Sequence, residues 1–545
     1  SFSLCNNTTG CKNVALGQNS LKASTTGCFN TALGMGVLAL NTTASDNTAV
    51  GACSMLANTT GGDNTSVGMQ SLSANTSGSN NVAVGFQALD SNTTANENVA
   101  VGRCSLYTNT TGTKNIAVGS YALDTNTTGD KNVAIGYQAL DANTTADNNT
   151  AVGDSALKAN TTGTGNNAFG ALAGDAITTG NYNVAIGDSS LGAQTTASGN
   201  TAVGSAAGNA ITTGSCNVTI GLDSLKTNTT GVKNTAIGAF ALKANTTASN
   251  NTAVGTNAMF ATTTGTCNSS FGRDALCTNT TGNRNTAIGR DALNDNTTAS
   301  DNTAVGFESL CKNTTGTSNT AVGKGALKAN LTTSENTGVG TNALNGNTGS
   351  CNTGVGSSAL ENNTGDSNTA VGRRALYLNT SGTNNTAIGN LAGTAVSTGD
   401  YNTALGSLSL ESNTTADNNT AIGGASLRCT TTGCENTSVG SGSMAANTVG
   451  EKNVAVGRFA LNNDTKGSRS VAIGHSSLAN QNFTSATISN NVAVGFFAGE
   501  DITTGVCNTI IGNQAGEKTT TGSNNTAIGT NALCSNTTGA ANTAV

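Results

Sequence analysis

The feature that most restricts the fold of this chain is a 17-residue repeat that runs along its 545 residues. A motif of the form Asn-Thr-Ala-Val-Gly returns every 17 residues from Asn13 to Asn336 and, after two 16-residue steps, from Asn368 to Ser470. A single 21-residue step follows, to Asn491, before the 17-residue spacing resumes. A fixed period of this length is typical of proteins that stack one structural unit per repeat.

The repeat has a defined interior and three polar corners. With the motif Asn as position 1, the consensus is N-T-A-[VI]-G-x-x-A-L-x-x-N-T-T-G-x-x, and position 4 is apolar in all 32 coils. Lys, Arg, Asp and Glu fall almost entirely at positions 6, 7, 10, 11, 16 and 17. We therefore expect positions 1–4, 8–9 and 12–14 to face inward.

These features predict the fold class. A 17-residue unit with three corners is too short for a helix of ordinary length. Its β-branched segments favour strands, and we expect the glycines at positions 5 and 15 to adopt positive φ at the bends. The sequence thus predicts an all-β fold, a single continuous parallel β-solenoid (a β-helix or β-roll) over residues 1–545. About 32 coils stacked at about 4.8 Å would give a rod on the order of 150 Å long, which we interpret as a section of a longer array.

Residues at equivalent positions are predicted to hold the coils together. Asparagines at positions 1 and 12 fall in columns and can form amide ladders, while positions 4 and 9 are expected to supply the apolar core. Where position 9 is Gly, position 12 changes from Asn to Ile or Val, as volume compensation in a shared interior requires. The predicted structural residues of two representative coils are Asn251, Val254, Gly255, Asn285, Ile288, Gly289, Leu293 and Asn296.

The 14 cysteines bear on the cellular compartment. Cys11 and Cys28 hold position 16 of successive coils, within disulfide reach of each other. Cys5 and Cys11 flank one turn, as do Cys429 and Cys434, so Cys11 has two candidate partners. Such pairs favour an oxidising, extracellular setting; free thiols at tolerant corners are the alternative.

Position 12 also carries recurrent N-x-[ST] sequons, for example at Asn41, Asn58, Asn92, Asn109, Asn126, Asn143 and Asn160. In a eukaryotic secretory protein these would be glycan acceptors. We favour a buried asparagine ladder, because Ile or Val replaces this Asn in the compensated coils.

The sequence gives little support for catalysis, and we expect no enzyme activity, cofactor or metal. His475 is the only histidine and is expected to be a solvated corner residue, so neither a Ser-His-Asp triad nor a usual zinc site can be assembled. Glu500 and Glu517 share position 10 of successive coils, near the carboxylate spacing of a retaining glycosidase. We expect no cleft or aromatic platform beside them, and Asp501 should meet Lys518. The net charge of −6 argues against a nucleic-acid partner.

Two segments carry a resemblance to known repeats. SVAIGHSSL at Ser470–Leu478 is similar to the head repeats of YadA-like trimeric autotransporters. The fuller unit NTAIGTNALCSNTTG from Asn525 resembles repeats of phage-type tail-fibre and large bacterial surface proteins. The resemblance implies a left-handed β-roll or β-helix, a cell-surface location, and adhesion or fibre formation, commonly as a trimer. YadA-like heads have a shorter coil.

The leading expectation for function is a structural extracellular fibre or surface filament that self-associates end to end or laterally. The alternative is an adhesin stalk or virion tail-fibre shaft that binds a cell-surface ligand. A third hypothesis is ice binding through the threonine columns at positions 13 and 14.

Overall fold

The structure is a computed structural model that describes residues 2–545, and the chain divides into two compact units, Ser1–Arg273 and Asp274–Val545. The regular secondary structure of the described residues is entirely β. The strands of the first unit are β1 (Val14–Leu16), β2 (Thr31–Leu33), β3 (Thr48–Val50), β4 (Thr65–Val67), β5 (Val82–Val84), β6 (Val99–Val101), β7 (Ile116–Val118), β8 (Val133–Ile135), β9 (Thr150–Val152), β10 (Asn167–Phe169), β11 (Val184–Ile186), β12 (Thr201–Val203), β13 (Val218–Ile220), β14 (Thr235–Ile237), β15 (Thr252–Val254) and β16 (Ser269–Phe271).

The second unit has the same organisation. Its strands are β17 (Thr286–Ile288), β18 (Thr303–Val305), β19 (Thr320–Val322), β20 (Thr337–Val339), β21 (Thr353–Val355), β22 (Thr369–Val371), β23 (Thr386–Ile388), β24 (Thr403–Leu405), β25 (Thr420–Ile422), β26 (Thr437–Val439), β27 (Val454–Val456), β28 (Gly467–Ser468), β29 (Val471–Ile473), β30 (Thr487–Ile488), β31 (Val492–Val494), β32 (Thr509–Ile511), β33 (Thr526–Ile528) and β34 (Thr543–Ala544). Among residues 2–545 there is no helix that could cross a membrane.

Each unit is a parallel β-solenoid, which confirms the predicted fold class. Positions 2 to 4 form a three-residue strand in every coil but the last, whose strand β34 has two residues, and within each unit identical positions of successive coils pair in register. In the first unit, for example, Thr235 of β14 pairs with Thr252 of β15, and Ile237 pairs with Val254. The handedness of the coil stays a prediction from the resemblance.

The bends differ from the prediction in one respect. Gly at position 5 has positive φ as expected, 136° at Gly255 and 125° at Gly289. Gly at position 15 does not take this conformation. Instead, positions 7, 9 and 17 are left-handed in most coils and are held by residues other than glycine, as at Asp291, Leu293 and Asp301. None of the non-glycine residues with positive φ is Val, Ile or Thr, because β-branched side chains are the least tolerant of this region.

The interior is lined by positions 1, 3, 8, 9, 12 and 15. Ala at position 3 and Leu at position 9 are buried in nearly every coil, together with the two asparagines. The structure confirms the predicted volume compensation: a Cβ on Gly174 would lie 2.9 Å from Cδ1 of Ile177, which is fully buried. The coil at Asn508 compensates differently, because Ile510 at position 3 fills the space beside Gly516.

Changes in coil length are absorbed outside the strands. The 16-residue coils keep the strand register, with Thr337 paired to Thr353 and Thr353 to Thr369. The 21-residue coil also keeps it, since Val471 of β29 pairs with Val492 of β31. Within this coil the short strand β30 pairs with β28 of the preceding coil, away from the main sheet.

Candidate functional site

The two asparagine columns form a clamp in the interior of each regular coil. In the coil 285–301, Nδ2 of Asn285 and Nδ2 of Asn296 both donate to the carbonyl of Ala299, at 2.9 and 3.1 Å. Nδ2 of Asn296 also donates to Oδ1 of Asn279 in the preceding coil at 2.9 Å. Oδ1 of Asn285 accepts from the backbone N–H of Asn302 in the next coil at 3.0 Å. The ladders predicted from the sequence are therefore present and joined through one carbonyl per coil.

Most predicted structural residues occupy the interior or its bends. Asn251, Asn296 and Leu293 are fully buried, and Asn285 is almost so. A Cβ on Gly255 would lie 2.4 Å from the carbonyl oxygen of the glycine one coil on, and one on Gly289 would meet the equivalent oxygen at 2.6 Å. Position 5 thus needs glycine for two reasons, its positive φ and the close approach of the next coil.

The prediction that position 4 faces inward is wrong. Val254 is only half-buried, and Ile288 is 41% exposed. Side chains alternate between the two faces of a strand. Because Ala at position 3 points inward, positions 2 and 4 must point outward. The strands therefore present Val254, Ile288 and their equivalents on the surface.

We call this surface the strand face; it consists of positions 2 and 4 of every coil. Position 2 is Thr or Val in most coils, and position 4 is Val, Ile, Leu or Phe. Neither position carries a charged residue in any coil. Several of these side chains are more than a third exposed: Val67, Ile116, Ile135, Phe169, Ile186, Ile220, Phe271, Ile288, Val322, Ile388, Leu405, Ile473, Ile511 and Ile528.

Of the predicted cysteine pairs, the structure brings Cys11 and Cys28 together. Their Sγ atoms lie 2.8 Å apart, and hydrogen bonding to Cys28 raises the pKa of the Cys11 thiol. Sγ of Cys5 instead contacts the carbonyl of Lys22, at 3.5 Å. Both sulfurs of the close pair are thiols in this structure, so a disulfide there stays a prediction.

The other predicted pair, Cys429 and Cys434, is also present as thiols. Sγ of Cys434 lies 3.4 Å from Oε2 of Glu451, and burial together with this contact raises the pKa of the Cys434 thiol. The pair therefore also stays a prediction.

The sequons at position 12 are placed as the ladder hypothesis requires. Asn41, Asn58, Asn92, Asn109, Asn126, Asn143 and Asn160 are all fully buried. Nδ2 of Asn126, for example, donates to Oδ1 of Asn109 at 2.8 Å and to the carbonyl of Gly129 at 3.0 Å. This nitrogen, which would carry a glycan, already has two acceptors in the folded coil.

The 21-residue coil, 470–490, replaces the clamp with a different buried network. Gln481 stands at position 12, and its Nε2 donates to Oδ2 of Asp464 at 2.6 Å and to Oγ of Ser470 at 3.0 Å. Oε1 of Gln481 accepts from Nδ2 of Asn491 at 2.9 Å. Asp464 is only 1% exposed, and this burial raises the pKa of its carboxyl.

Aromatic side chains gather at one corner of this region. His475 stacks on Phe496, with ring centroids 5.3 Å apart and planes 27° from parallel. Phe497 and Phe459 approach the imidazole edge-on, at 5.5 and 6.4 Å. We call these four residues the aromatic corner. His475 is therefore packed among rings at a half-buried position, and the expectation that it is simply solvated was wrong.

The carboxylates that the sequence singled out adjoin this corner. Glu500 follows Phe497 by three residues, and its backbone N–H donates to the Phe497 carbonyl at 3.3 Å. Burial, then Asp501 and Glu517, raise the pKa of Glu500, and Lys518 followed by His475 opposes this shift. As predicted, Asp501 meets Lys518, with Oδ2 and Nζ 3.1 Å apart.

The expectation that no aromatic platform lies beside these carboxylates was wrong. The signal was in the sequence: Phe459, His475 and Phe496 occupy positions 7, 6 and 6 of three successive coils. Parallel stacking brings such positions together.

Other chemistry is weakly represented. In the part of the chain that the structure describes, no three His, Cys, Asp or Glu side chains are grouped to hold a metal ion. No known protein family matches this sequence, and no curated protein is significantly similar to it.

Proposed function

We propose that this chain is a non-catalytic structural protein of an extracellular fibre or surface filament, in which copies associate side by side through the strand face. The observation that carries the proposal is the uncharged, exposed and largely apolar character of that face. A large apolar surface on a soluble protein marks an interaction site.

The size of the strand face supports an interface. Three residues at about 3.3 Å and a coil spacing of about 4.8 Å give roughly 50 Å² per coil. The strands β1 to β16 of the first unit would thus present about 800 Å², close to one partner's share of a standard protein–protein interface. The exposed patch of an ordinary monomer is about 300–600 Å².

A second copy of the chain is the partner that best fits this face. Most coils repeat the same pair of outward side chains, Thr or Val beside Val or Ile, at the spacing set by backbone pairing. A surface with the same period is needed to fill all of these rows, and another copy has it. If two or three copies packed with their strand faces toward one another, the apolar side chains of these faces would be removed from water.

The corner cysteines fit an extracellular fibre. The sulfurs of Cys11 and Cys28 are already adjacent and could be oxidised with little movement of the coils. Other cysteines, among them Cys216, Cys267 and Cys507, are exposed at corners, where they could link neighbouring copies. Links of this kind persist in oxidising surroundings.

The test places charges on the strand face. In the variant Val254→Lys with Ile288→Lys, each unit carries one charge at a position that association would bury. We expect the wild-type protein to form bundles in electron microscopy and to sediment as dimers or larger species. The variant should sediment as a single chain with unchanged circular dichroism.

The control variant carries the same charge at neighbouring corners, Asn250→Lys with Ser318→Lys. Position 17 holds Lys in other coils, for example Lys114 and Lys233, so this change suits the local backbone. The control should assemble like the wild type. Assembly of the strand-face variant at wild-type strength, or a wild-type protein that stays monomeric at all concentrations, would overturn the proposal.

A further inference from the structure

We infer that the aromatic corner and its neighbouring carboxylates form a binding site for an uncharged oligosaccharide chain. This inference goes beyond the structural function and does not depend on it. It rests on three observations: the rings are concentrated at one place, polar side chains border them, and the only lengthened coil lies there.

The first observation is the concentration of rings. Aromatic residues make up only 3% of the chain. Three phenylalanines and the only histidine nevertheless meet within three successive coils, with all contacting centroids between 4.0 and 6.4 Å. Phe496 is 48% exposed at the surface of this cluster. Exposed rings that are held in place by other rings form a rigid apolar platform at little cost in side-chain entropy.

The second observation is the polar border. Four or five residues after the rings in each coil, Asn463 Nδ2 donates to Asn480 Oδ1 at 3.1 Å, and Asn480 Nδ2 donates to Asp501 Oδ1 at 3.1 Å. The two amides are exposed and Asp501 is half-buried; all three stand at position 11, beside the half-buried Glu500 and Glu517 at position 10. Nδ1 of His475 is buried and has no hydrogen-bond partner among the described residues.

A sugar ring matches this combination of groups. Its C–H face is apolar and can stack on an aromatic ring, while its hydroxyl groups around the edge donate to carboxylates and amide oxygens. Sites of this type pair an apolar surface with a few polar groups that fix orientation. The corner carries the carboxylates of Glu500, Asp501 and Glu517 against two cations, Lys518 and Arg458, and the Arg458 guanidinium lies 4.4 Å from the Phe459 ring centroid. The net charge of these groups is negative and disfavours anionic chains. An uncharged saccharide is therefore the class that fits.

The arrangement along the solenoid favours a chain over a single sugar. The rings of Phe459, His475 and Phe496 come from successive coils, so they follow one another along the stacking direction. A ligand that contacts more than one of them must extend over several coils. Affinity should accordingly rise with the length of the oligosaccharide.

The third observation is the irregular coil. The four residues beyond the usual length lie outside the strands, and Phe483 from the same segment is buried against Gly467. The inserted segment follows Gln481 at position 12, whereas the rings stand at positions 6 and 7, so the two departures from the repeat share consecutive coils but lie at different places around the coil. A regular array offers the same surface at every coil, whereas a specific site needs a place where that surface changes.

The experiment uses the full chain and a panel of neutral hexasaccharides: cellohexaose, laminarihexaose, maltohexaose and hexa-N-acetylchitohexaose, each with its monosaccharide. Binding is measured by isothermal titration calorimetry. We expect at least one hexasaccharide to bind and its monosaccharide to bind at least 10-fold more weakly. Phe496→Ala should weaken the binding at least 10-fold, and Phe496→Tyr, which keeps a ring, should restore it.

The matched control is Phe86→Ala. Phe86 occupies the same coil position as Phe496 and is 37% exposed, but its neighbour at position 7 is Gln87. This variant should bind like the wild type. The inference is overturned if none of the hexasaccharides binds or if Phe496→Ala binds them as well as the wild type does. It is also overturned if the aromatic corner binds a cation, probed with tetramethylammonium, in place of the saccharides. Unchanged circular dichroism of Phe496→Ala would show that any loss is local.

Discussion

The regular coil 285–301 and the lengthened coil 470–490 both satisfy the polar groups in their interiors, but they do so with different side chains. In the regular coil, the side chains of Asn285 and Asn296 donate hydrogen bonds to the same backbone carbonyl, that of Ala299. In the lengthened coil, Gln481 reaches across the interior to Asp464, Ser470 and Asn491. Both arrangements satisfy buried polar groups, which are costly if left unpaired. Only the second accommodates a coil of different length.

The comparison shows what a solenoid must keep and what it can vary. Strand pairing is the same on both sides of the lengthened coil, from β27 to β29 and from β29 to β31. The polar interior and the outer corner both change. The constant part is therefore the backbone of positions 2 to 5, and the corners are free to acquire other roles.

The largest expected effect is the loss of stability when the glycine at position 5, in the constant backbone of positions 2 to 5, is replaced. Gly289→Ala in the regular coil and Gly474→Ala in the lengthened coil should both destabilise strongly, by roughly 3 kcal/mol. Each added Cβ would meet a backbone oxygen of the next coil, at 2.6 and 2.2 Å, from a residue with positive φ. Hydrogen exchange of the strands on either side should accelerate equally in the two variants.

Gly424→Ala is the control for this prediction. Gly424 does not have positive φ, and the nearest atom to a Cβ there would be 4.0 Å away. Its exchange should stay at the wild-type rate. A much milder effect at Gly474 than at Gly289 would show that the lengthened coil has a more adaptable backbone than the regular one.

The second prediction asks whether a regular coil can adopt another interior. Asn296→Ile alone should overpack against Leu293 and remove the clamp, and Leu293→Gly alone should leave a cavity, each at about 2–4 kcal/mol. The double variant reproduces the natural pair at Gly174 and Ile177. It should therefore be more stable than the sum of the two effects predicts, by at least about 1 kcal/mol.

A double-mutant cycle on urea-induced local unfolding, followed by hydrogen exchange, measures this coupling. Strict additivity would mean that positions 9 and 12 do not share space. That result would contradict the packing at Gly174, where an added Cβ would lie 2.9 Å from Cδ1 of Ile177.

Much of this architecture could be predicted from the sequence, because a repeat reports its own geometry. The period, the charge-free positions and the Gly–Ile exchanges were enough for the parallel solenoid, its polar corners and its asparagine ladders. The inward direction predicted for Val254 is wrong, because an apolar residue on a strand can face outward and be only half-buried. Ala at position 3 was the better guide, because a narrow interior admits small side chains and the alternation of the strand then places its neighbours outside.

The candidate site was harder to predict for a related reason. Its residues belong to three coils, one of which is longer, and each alone looks like an ordinary corner residue. The positive φ values at positions 7, 9 and 17 are also not predicted from the sequence, because Leu, Asp and Lys, unlike Gly, do not indicate this backbone conformation. The pairing of successive coils imposes these conformations, and the energy of that pairing cannot be inferred from the residue type at a single position.

The smallest expected effect is a difference in pH dependence between the two kinds of coil. Burial raises the pKa of Asp464 in the lengthened coil's network, and burial together with Asp141 raises the pKa of Asp124 at a regular corner to about 6. A carboxyl whose pKa is higher in the folded state binds its proton more tightly there. Its contribution to stability is therefore greatest below its ordinary pKa near 4 and falls as the pH rises.

For Asp124 this loss should be complete just above pH 6, and Asp124→Asn should remove it. The variant should be more stable than the wild type at pH 7 and lose that advantage at pH 4. Asp464→Asn should also flatten the pH profile, but its gain at pH 7 is offset because the carboxylate accepts hydrogen bonds from Gln481 and from the N–H of Gly467. Local exchange measured from pH 4 to 8 distinguishes the two. Equal gains at pH 7 would show that the network around Asp464 does not need a carboxylate, and that Gln481 alone bridges the lengthened coil.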